Sequence, residues 1–161
     1  MAGLTIALHL PARANAQTST ANGAARFEPN AFVRIGTDDT VTVLSKHIEF
    51  GQGTFTGLTT IVAEELDADW SQMRAIHAPA DVMLYKNFAL GLQGTGGSTS
   101  IANSYEQLRR AGAAARIMLV QAAAAAWNVP AGEITVDRGV LRHATSGHQG
   151  RFGEFAVPAS K

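Results

Sequence analysis

The sequence predicts an α+β domain, with β-hairpins and a small mixed sheet packed against two helices. Three observations predict it. Alternating β-branched runs occur near both ends of the chain, and two stretches with helical periodicity lie between them. At 161 residues, 46% of them hydrophobic and 16% charged, the chain suits one folded domain rather than a disordered one.

Residues 30–36 and 40–45 alternate as strands, and Thr37-Asp38-Asp39 between them reads as a hairpin turn. The glycine-rich stretch Phe50-Gly51-Gln52-Gly53-Thr54 opens a helix predicted over about 54–67. Its face is Phe55, Leu58, Val62 and Leu66, with Ile61 flanking. Residues 73–78 are a third strand, ended by Pro79, and residues 80–97 read as loop. A long helix is predicted from Ser98-Thr99-Ser100, good N-cap residues, to Trp127. Asn128-Val129-Pro130 stops it. Nine of its residues 111–126 are alanine, so a neighbour can come close. Ile101, Tyr105, Leu108, Ala115 and Leu119 mark its expected core face, and Arg109, Arg110 and Arg116 argue against a membrane span. Ile134–Val136, a turn at Asp137-Arg138-Gly139, and Val140–Arg142 form a second hairpin, followed by a trace of helix near 152–156.

The opening residues read as processing rather than fold. Residues 4–10 are a short apolar run broken by Pro11, and Ala14-Asn15-Ala16 has the small-x-small pattern of a leader cleavage site. Residues 1–16 are therefore expected to be the remnant of an export leader. Residues 17–26 are expected to be a linker, and 27–161 the domain.

Composition narrows the function. Lys+Arg and Asp+Glu are 13 each, which argues against nucleic-acid binding. The absence of cysteine removes disulfides, thiol nucleophiles and cysteine-held clusters. The features that carry chemistry are two glycine-rich helix starts, Gly51–Thr54 and Gly94–Ser100. Helix N-termini present unpaired N–H groups and favour anions. Gln52 can both donate and accept, which suits a heterocycle or a metal-oxo group. No P-loop lysine follows either loop, and no strand–G-x-G-x-x-G–helix unit is present.

Other candidates are weaker. His47-x-Glu49 lacks the cysteine pair a deaminase needs. His143 and His148 lack a third metal ligand and read as exposed loop histidines, and His77 reads as a strand residue with a satisfied ring. Glu64, Glu65 and Asp67 read as a solvated face. Ser98 and Ser100 lack a nucleophile elbow.

Ile48-Glu49-Phe50-Gly51-Gln52-Gly53-Thr54 with Ala63-Glu64-Glu65-Leu66 resembles the E-x-G-Q-G segment of the molybdenum hydroxylase (xanthine dehydrogenase) superfamily. Gly94–Ser100 with Leu108–Arg116 is similar to that family's second cofactor segment. The pattern is nearest to the large subunits of the isoquinoline 1-oxidoreductase type, over about residues 27–161.

The resemblance implies a partial molybdopterin-binding domain and a molybdenum cofactor in its cytosine dinucleotide form. Gly51, Gln52, Gly53 and Thr54 would hold the pterin. Gly96, Gly97, Ser98, Thr99 and Ser100 would hold the pterin or its phosphates. It implies hydroxylation of N-heterocycles or oxidation of aldehydes, with water as oxygen source. It also implies partners: the remainder of the large subunit, a small [2Fe-2S] subunit that carries the iron–sulfur clusters, and a cytochrome c subunit. Export by a twin-arginine type leader to the periplasm belongs to the same picture. The family's hammerhead domain and its catalytic glutamate segment are absent from these residues, so the chain is expected to be an inactive N-terminal fragment with apolar surface on the Ala-rich helix or the sheet. The residues alone leave two rivals open: an exported module binding an anion at two helix N-termini, and a purely structural domain.

Overall fold

The structure, a computed structural model, describes residues 26–160. The leader remnant and residues 17–25 of the linker lie outside the described residues.

Two antiparallel pairings and one parallel pairing build the first sheet, in the order β1-β2-β3-β4. Its strands are β1 (Arg26–Asn30), β2 (Val33–Gly36), β3 (Val41–Ser45) and β4 (Met73–His77). The hairpin expected around Thr37–Asp39 is β2–β3, with Ile35 opposite Val41 and Val33 opposite Val43. The run 30–36 is not one strand. Asn30 breaks it, because its Oδ1 accepts from Phe32 N at 2.9 Å and Val33 N at 3.1 Å, and an Asx turn results. The same side chain donates to Ala111 O at 3.0 Å and so ties this turn to the long helix.

Helix α1 (Thr54–Leu66) is the crossover between the parallel strands β3 and β4. It buries Leu58, Val62 and Leu66 against the sheet residues Val33, Ile35, Val41 and Val43. After β4 comes a one-turn helix α2 (Val82–Tyr85), inside the stretch read as loop. Asp81 starts it by accepting from Met83 N and Leu84 N.

Helix α3 (Ser100–Trp127) ends at Asn128, a left-handed cap whose N–H reaches Ala124 O. A second sheet follows in the order β5-β6-β7, namely β5 (Ile134–Asp137), β6 (Val140–His143) and β7 (His148–Arg151). Arg138 and Gly139 both take positive φ in the β5–β6 turn, the backbone a two-residue hairpin requires. β7 was not legible as a strand, because His148-Gln149-Gly150-Arg151 carries no β-branched residue. The trace of helix is α4 (Phe152–Ala156), with Phe152 and Ala156 fully buried.

The core face of α3 is Ser104, Leu108, Ala111, Gly112, Ala115, Leu119 and Ala123. Ile101 and Tyr105 fall outside it and are 44% and 48% exposed. The stripe of small residues, traced back by threes and fours, arrives at Ser104 instead. Exposed apolar residues do lie on the Ala-rich helix and the sheet, at Ile101, Tyr105, Ile117 and Ile76. Val82, Met83, Leu84, Phe88, Leu90 and Leu92 form a further exposed group, on α2 and the loop after it. Among the described residues no helix is long and apolar enough to cross a membrane.

Helices α1 and α3 run parallel. Gly57 faces Ile101, Val62 and Glu65 face Gly112, and Asp67 pairs with Arg116. Contact is close at Gly112, where an added Cβ would come within 2.8 Å of Glu65 Cβ and 3.2 Å of Val62 O. The acidic residues at the end of α1 are therefore not simply solvated. Arg109 pairs with Glu65 and Arg116 with Asp67 across the helix pair. The expected result for Gly112→Leu, which overpacks this contact, is a loss of about 1–3 kcal/mol in unfolding free energy by urea denaturation. Gly132→Ala, where an added Cβ meets nothing within 4 Å, serves as the unaffected control. Equal stability of the two variants would contradict the close packing.

Candidate functional site

Parallel packing puts the N-termini of α1 and α3 at the same end of the domain, so the loops that precede them are neighbours. One direct bond joins their segments: Ile48 N donates to Thr95 Oγ1 at 2.8 Å. Asn87, fully buried, pins the second loop from below. Its Nδ2 donates to Thr99 Oγ1 at 2.7 Å and Gly94 O at 3.2 Å, and its own N–H donates to Leu92 O at 2.8 Å. Gln93 adds a further brace, donating to Pro79 O and accepting from Asp81 N.

The two helix N-termini differ in what satisfies them. At α1 the anion is already supplied by the chain. The Glu49 carboxylate accepts from Gly51 N at 2.6 Å, Phe55 N at 2.8 Å and Gly53 N at 3.2 Å. These bonds, the one from Phe55 first, hold the Glu49 carboxyl below its ordinary range. Gln52 is also turned inward on its loop, accepting from Phe50 N at 2.8 Å and donating to Ile48 O at 2.7 Å. Gly51, Gln52 and Gly53 are exposed, while Thr54 is buried in the first turn. The N–H groups expected to bind an external anion at this loop are thus engaged by Glu49. The sequence offered Glu49 as half of an H-x-E pair without a deaminase's cysteines and as the first residue of the E-x-G-Q-G segment, but not as a cap. A glutamate two residues ahead of a glycine-rich helix start was the available signal for a cap.

At α3 the N-terminus is open. Thr99, the N-cap, makes no side-chain cap to the helix; its hydroxyl donates to Gly96 O at 2.7 Å instead. Gly96, Gly97 and Ser98 are exposed, and Thr99 and Ser100 are half-buried. Gly97 and Ser98 both have positive φ, at 62° and 54°, so the backbone turns sharply into the helix. An added Cβ at Gly96 would meet nothing within 4 Å. No acidic residue lies in the first turn of α3. This end therefore keeps the N–H groups and dipole of a 28-residue helix available for an anion.

Beneath the two loops lies a cleft of about 530 Å³ whose walls include Ile48, His77, Gln93, Gly94 and Thr95. His77 sits at the end of β4 with its ring 4.7 Å from that of Phe55. His47 also borders the cleft but is fully buried, and neither ring nitrogen has a hydrogen-bond partner. Burial first, and then the neighbouring Lys46 ammonium, keep His47 below its usual pKa. The Gly94 backbone acts in the opposite direction without reaching hydrogen-bond geometry. Lys46 is buried, and among the described residues no carboxylate pairs with it. Its Nζ donates to Gln107 Oε1 at 2.8 Å, makes longer contacts to Lys86 O and Asn103 O, and lies 4.5 Å from the Phe88 ring centre. Burial pulls its pKa down to about 8.

His143 is not an exposed loop histidine, and His148, though exposed as expected, is a strand residue of β7. His143 is a buried residue of β6, bonded to Glu133 and Ser146, and His148 stacks on Trp127. They lie on the second sheet, away from the two loops.

The Glu49 cap has a pH signature. Its folded pKa is depressed, so the stabilisation is present above the ordinary carboxyl value near 4.5 and is lost as pH falls through the folded value. The expected result for Glu49→Gln is a flatter stability profile below about pH 5, with faster amide exchange at Gly51, Gly53 and Phe55. An unchanged acid limb would show that the carboxylate does not cap α1.

A family model described as the molybdopterin cofactor-binding domain matches residues 5–160. The chain is 39% identical over 149 residues to isoquinoline 1-oxidoreductase subunit beta of Brevundimonas diminuta, covering 92% of this chain and 19% of that one. It is 32% identical over 135 residues to a membrane-bound aldehyde dehydrogenase [pyrroloquinoline-quinone] of Gluconacetobacter polyoxogenes, covering 84% of this chain and 16% of that one. The chain thus spans less than one fifth of the length of these relatives. Its fold is similar to quinoline 2-oxidoreductase from Pseudomonas putida 86, with a TM-score of 0.59 and 18% identity over 86% of this chain and 20% of that one. With this match over nearly the whole sequence and an α+β fold whose two glycine-rich loops meet at one end, the chain belongs to the molybdopterin cofactor-binding domain family of the molybdenum oxidoreductases.

Proposed function

We propose that this chain is one part of a molybdenum-dependent oxidoreductase and holds the cofactor's pterin and phosphates at the α3 N-terminus. The observation that carries the reading is the open start of α3 beside an α1 start already closed by Glu49. Phosphate oxygens suit the N–H groups and hydroxyls of Gly96, Gly97, Ser98, Thr99 and Ser100. The hydroxyls of Ser98 and Ser100 have no other partner among the described residues, so they fit that task. The loop of Gly51, Gln52, Gly53 and Thr54 would form the neighbouring wall. Its glycines leave open space, and Gln52 would present its remaining amide hydrogen and lone pair.

Bound there, the molybdenum centre would supply a two-electron oxidation with water as the oxygen source. The chain's own residues would bind and orient the cofactor. Asn87, Thr95 and Glu49 would hold the two loops in register, and His47, held below its usual pKa by burial and by Lys46, would add no second charge beside the Lys46 ammonium. The substrates would be N-heterocycles or aldehydes. One relative's printed name carries pyrroloquinoline quinone, a different redox group; the family match over residues 5–160 favours the molybdopterin reading here. The cytosine dinucleotide form of the cofactor belongs to this proposal. So do a small [2Fe-2S] subunit, a cytochrome c subunit and the remainder of a large subunit that brings the base. Export to the periplasm rests on the leader-like residues 4–16, and the family match begins inside that stretch.

Cytidine 5′-diphosphate is a direct probe, read by amide chemical shifts. Shifts concentrated on residues 96–101 are expected, with Ser98→Ala weakening binding about tenfold or more, as for a lost hydrogen bond to a charged group. Shifts confined to 51–54, or none, would contradict the assignment. Molybdenum and pterin analysis of protein made in a cofactor-producing host should find both. Aldehyde or heterocycle turnover by this chain alone should be absent, because a positioned base is worth about 10²–10⁴-fold.

A further inference from the structure

A chain of short hydrogen bonds crosses the second sheet. Glu133 Oε2 lies 2.9 Å from His143 Nε2, and His143 Nδ1 lies 2.7 Å from Ser146 Oγ. Ser146 Oγ in turn lies 2.6 Å from His148 Nδ1. Proton counting orders these bonds. A carboxylate oxygen accepts, so His143 carries its proton on Nε2 and presents the Nδ1 lone pair. That lone pair accepts the Ser146 hydroxyl and, more distantly, the Ser146 N–H at 3.3 Å. The serine's single proton is then committed, so His148 Nδ1 donates to Oγ. A carboxylate orients an imidazole, and the imidazole receives a serine proton. This is the arrangement that activates a hydroxyl nucleophile.

The surroundings hold each member in place. The His143 side chain is 5% exposed and fixed at both nitrogens, whereas Ser146 is exposed on the β6–β7 turn. Gly147, with φ of 74°, closes that turn by donating to His143 O at 3.0 Å. The His148 ring stacks on Trp127 at 5.6 Å, and Trp127 meets Phe155 edge-on at 5.3 Å. Trp127 is the last residue of α3, so the relay sits a helix length from the cofactor loops, about 40 Å at 1.5 Å per residue. It is independent of the cofactor reading.

We propose that Ser146 is a base-activated nucleophile that takes an acyl group from an activated ester. The Oγ–acyl carbon bond forms and the acyl carbon–alkoxide bond of the donor breaks. The serine proton passes to His143 Nδ1 and then to the departing alkoxide. Glu133 and His148 are positioning residues, the first setting the His143 tautomer and the second holding Oγ by donating to it.

The test treats the full chain with p-nitrophenyl acetate and locates the acetyl group by peptide mass spectrometry. The expected product is one stable acetyl ester on Ser146, absent in Ser146→Ala. His143→Gln should slow its formation about 10²-fold, the size of a lost general base. Glu133→Gln, which leaves the ring in place, should slow it by a smaller factor. If His143→Gln fails to fold by circular dichroism, Glu133→Gln decides. An undiminished rate in the variant that decides would overturn the proposal. So would a label spread over lysines, or one held on His148 and lost within minutes at neutral pH.

Discussion

Gly112 has no side chain where α3 passes Val62 and Glu65 of α1, and Ala111 and Ala115 continue the small stripe to either side. The two helices can therefore lie close together, and they lie parallel. Interdigitating larger side chains would widen the gap and remove the backbone approach. Everything at the candidate site follows from this contact. Two helices that run the same way begin at the same end, and each begins with a glycine-rich loop. Cross-helix pairs of Arg109 with Glu65 and of Arg116 with Asp67 support the direction of packing, although such partly exposed pairs contribute little energy on their own.

The two helix N-termini then divide their tasks. At α1 a carboxylate from the chain itself meets the first turn, so that loop is a finished structural element before any ligand arrives. At α3 no acidic side chain performs this role, and the loop offers hydroxyls and N–H groups outward. A bond from Ile48 to Thr95 makes the closed loop a support for the open one. Buried Lys46, held by Gln107 and facing Phe88, ties the same support to α3 and to the loop after α2. The cost of burying its ammonium is visible in its lowered pKa.

Much of this was legible in the sequence. Helical periodicity placed α1, and Asn128 before Pro130 placed the end of α3 within a residue. The β2–β3 and β5–β6 hairpins carried their turn residues openly. The misses have physical reasons. Asn30 breaks a β-branched run through a bond to its own backbone, which periodicity does not register. Ile101 and Tyr105 match a helical spacing, yet the stripe that packs is set by small residues, not by large ones. At the candidate site the glycines, serines and threonines stood out because loop chemistry is local. Glu49 stood out only as part of the E-x-G-Q-G resemblance; its capping role, like the role of Asn87, depends on partners brought in by the fold. The relay of Glu133, His143 and Ser146 was illegible for the same reason: the β5–β6–β7 pairing assembles it.

Helices α1 and α3 pack parallel, so that the two loops share one end of the domain. The chain has no native cysteine, which permits clean double spin labelling. Two pairs suffice: Gln52→Cys with Ser98→Cys, and Gln52→Cys with Gln121→Cys near the far end of α3. Pulsed dipolar spectroscopy is expected to give a clearly shorter distance for the first pair than for the second. The reverse order would mean antiparallel helices with their loops at opposite ends, and would contradict parallel packing.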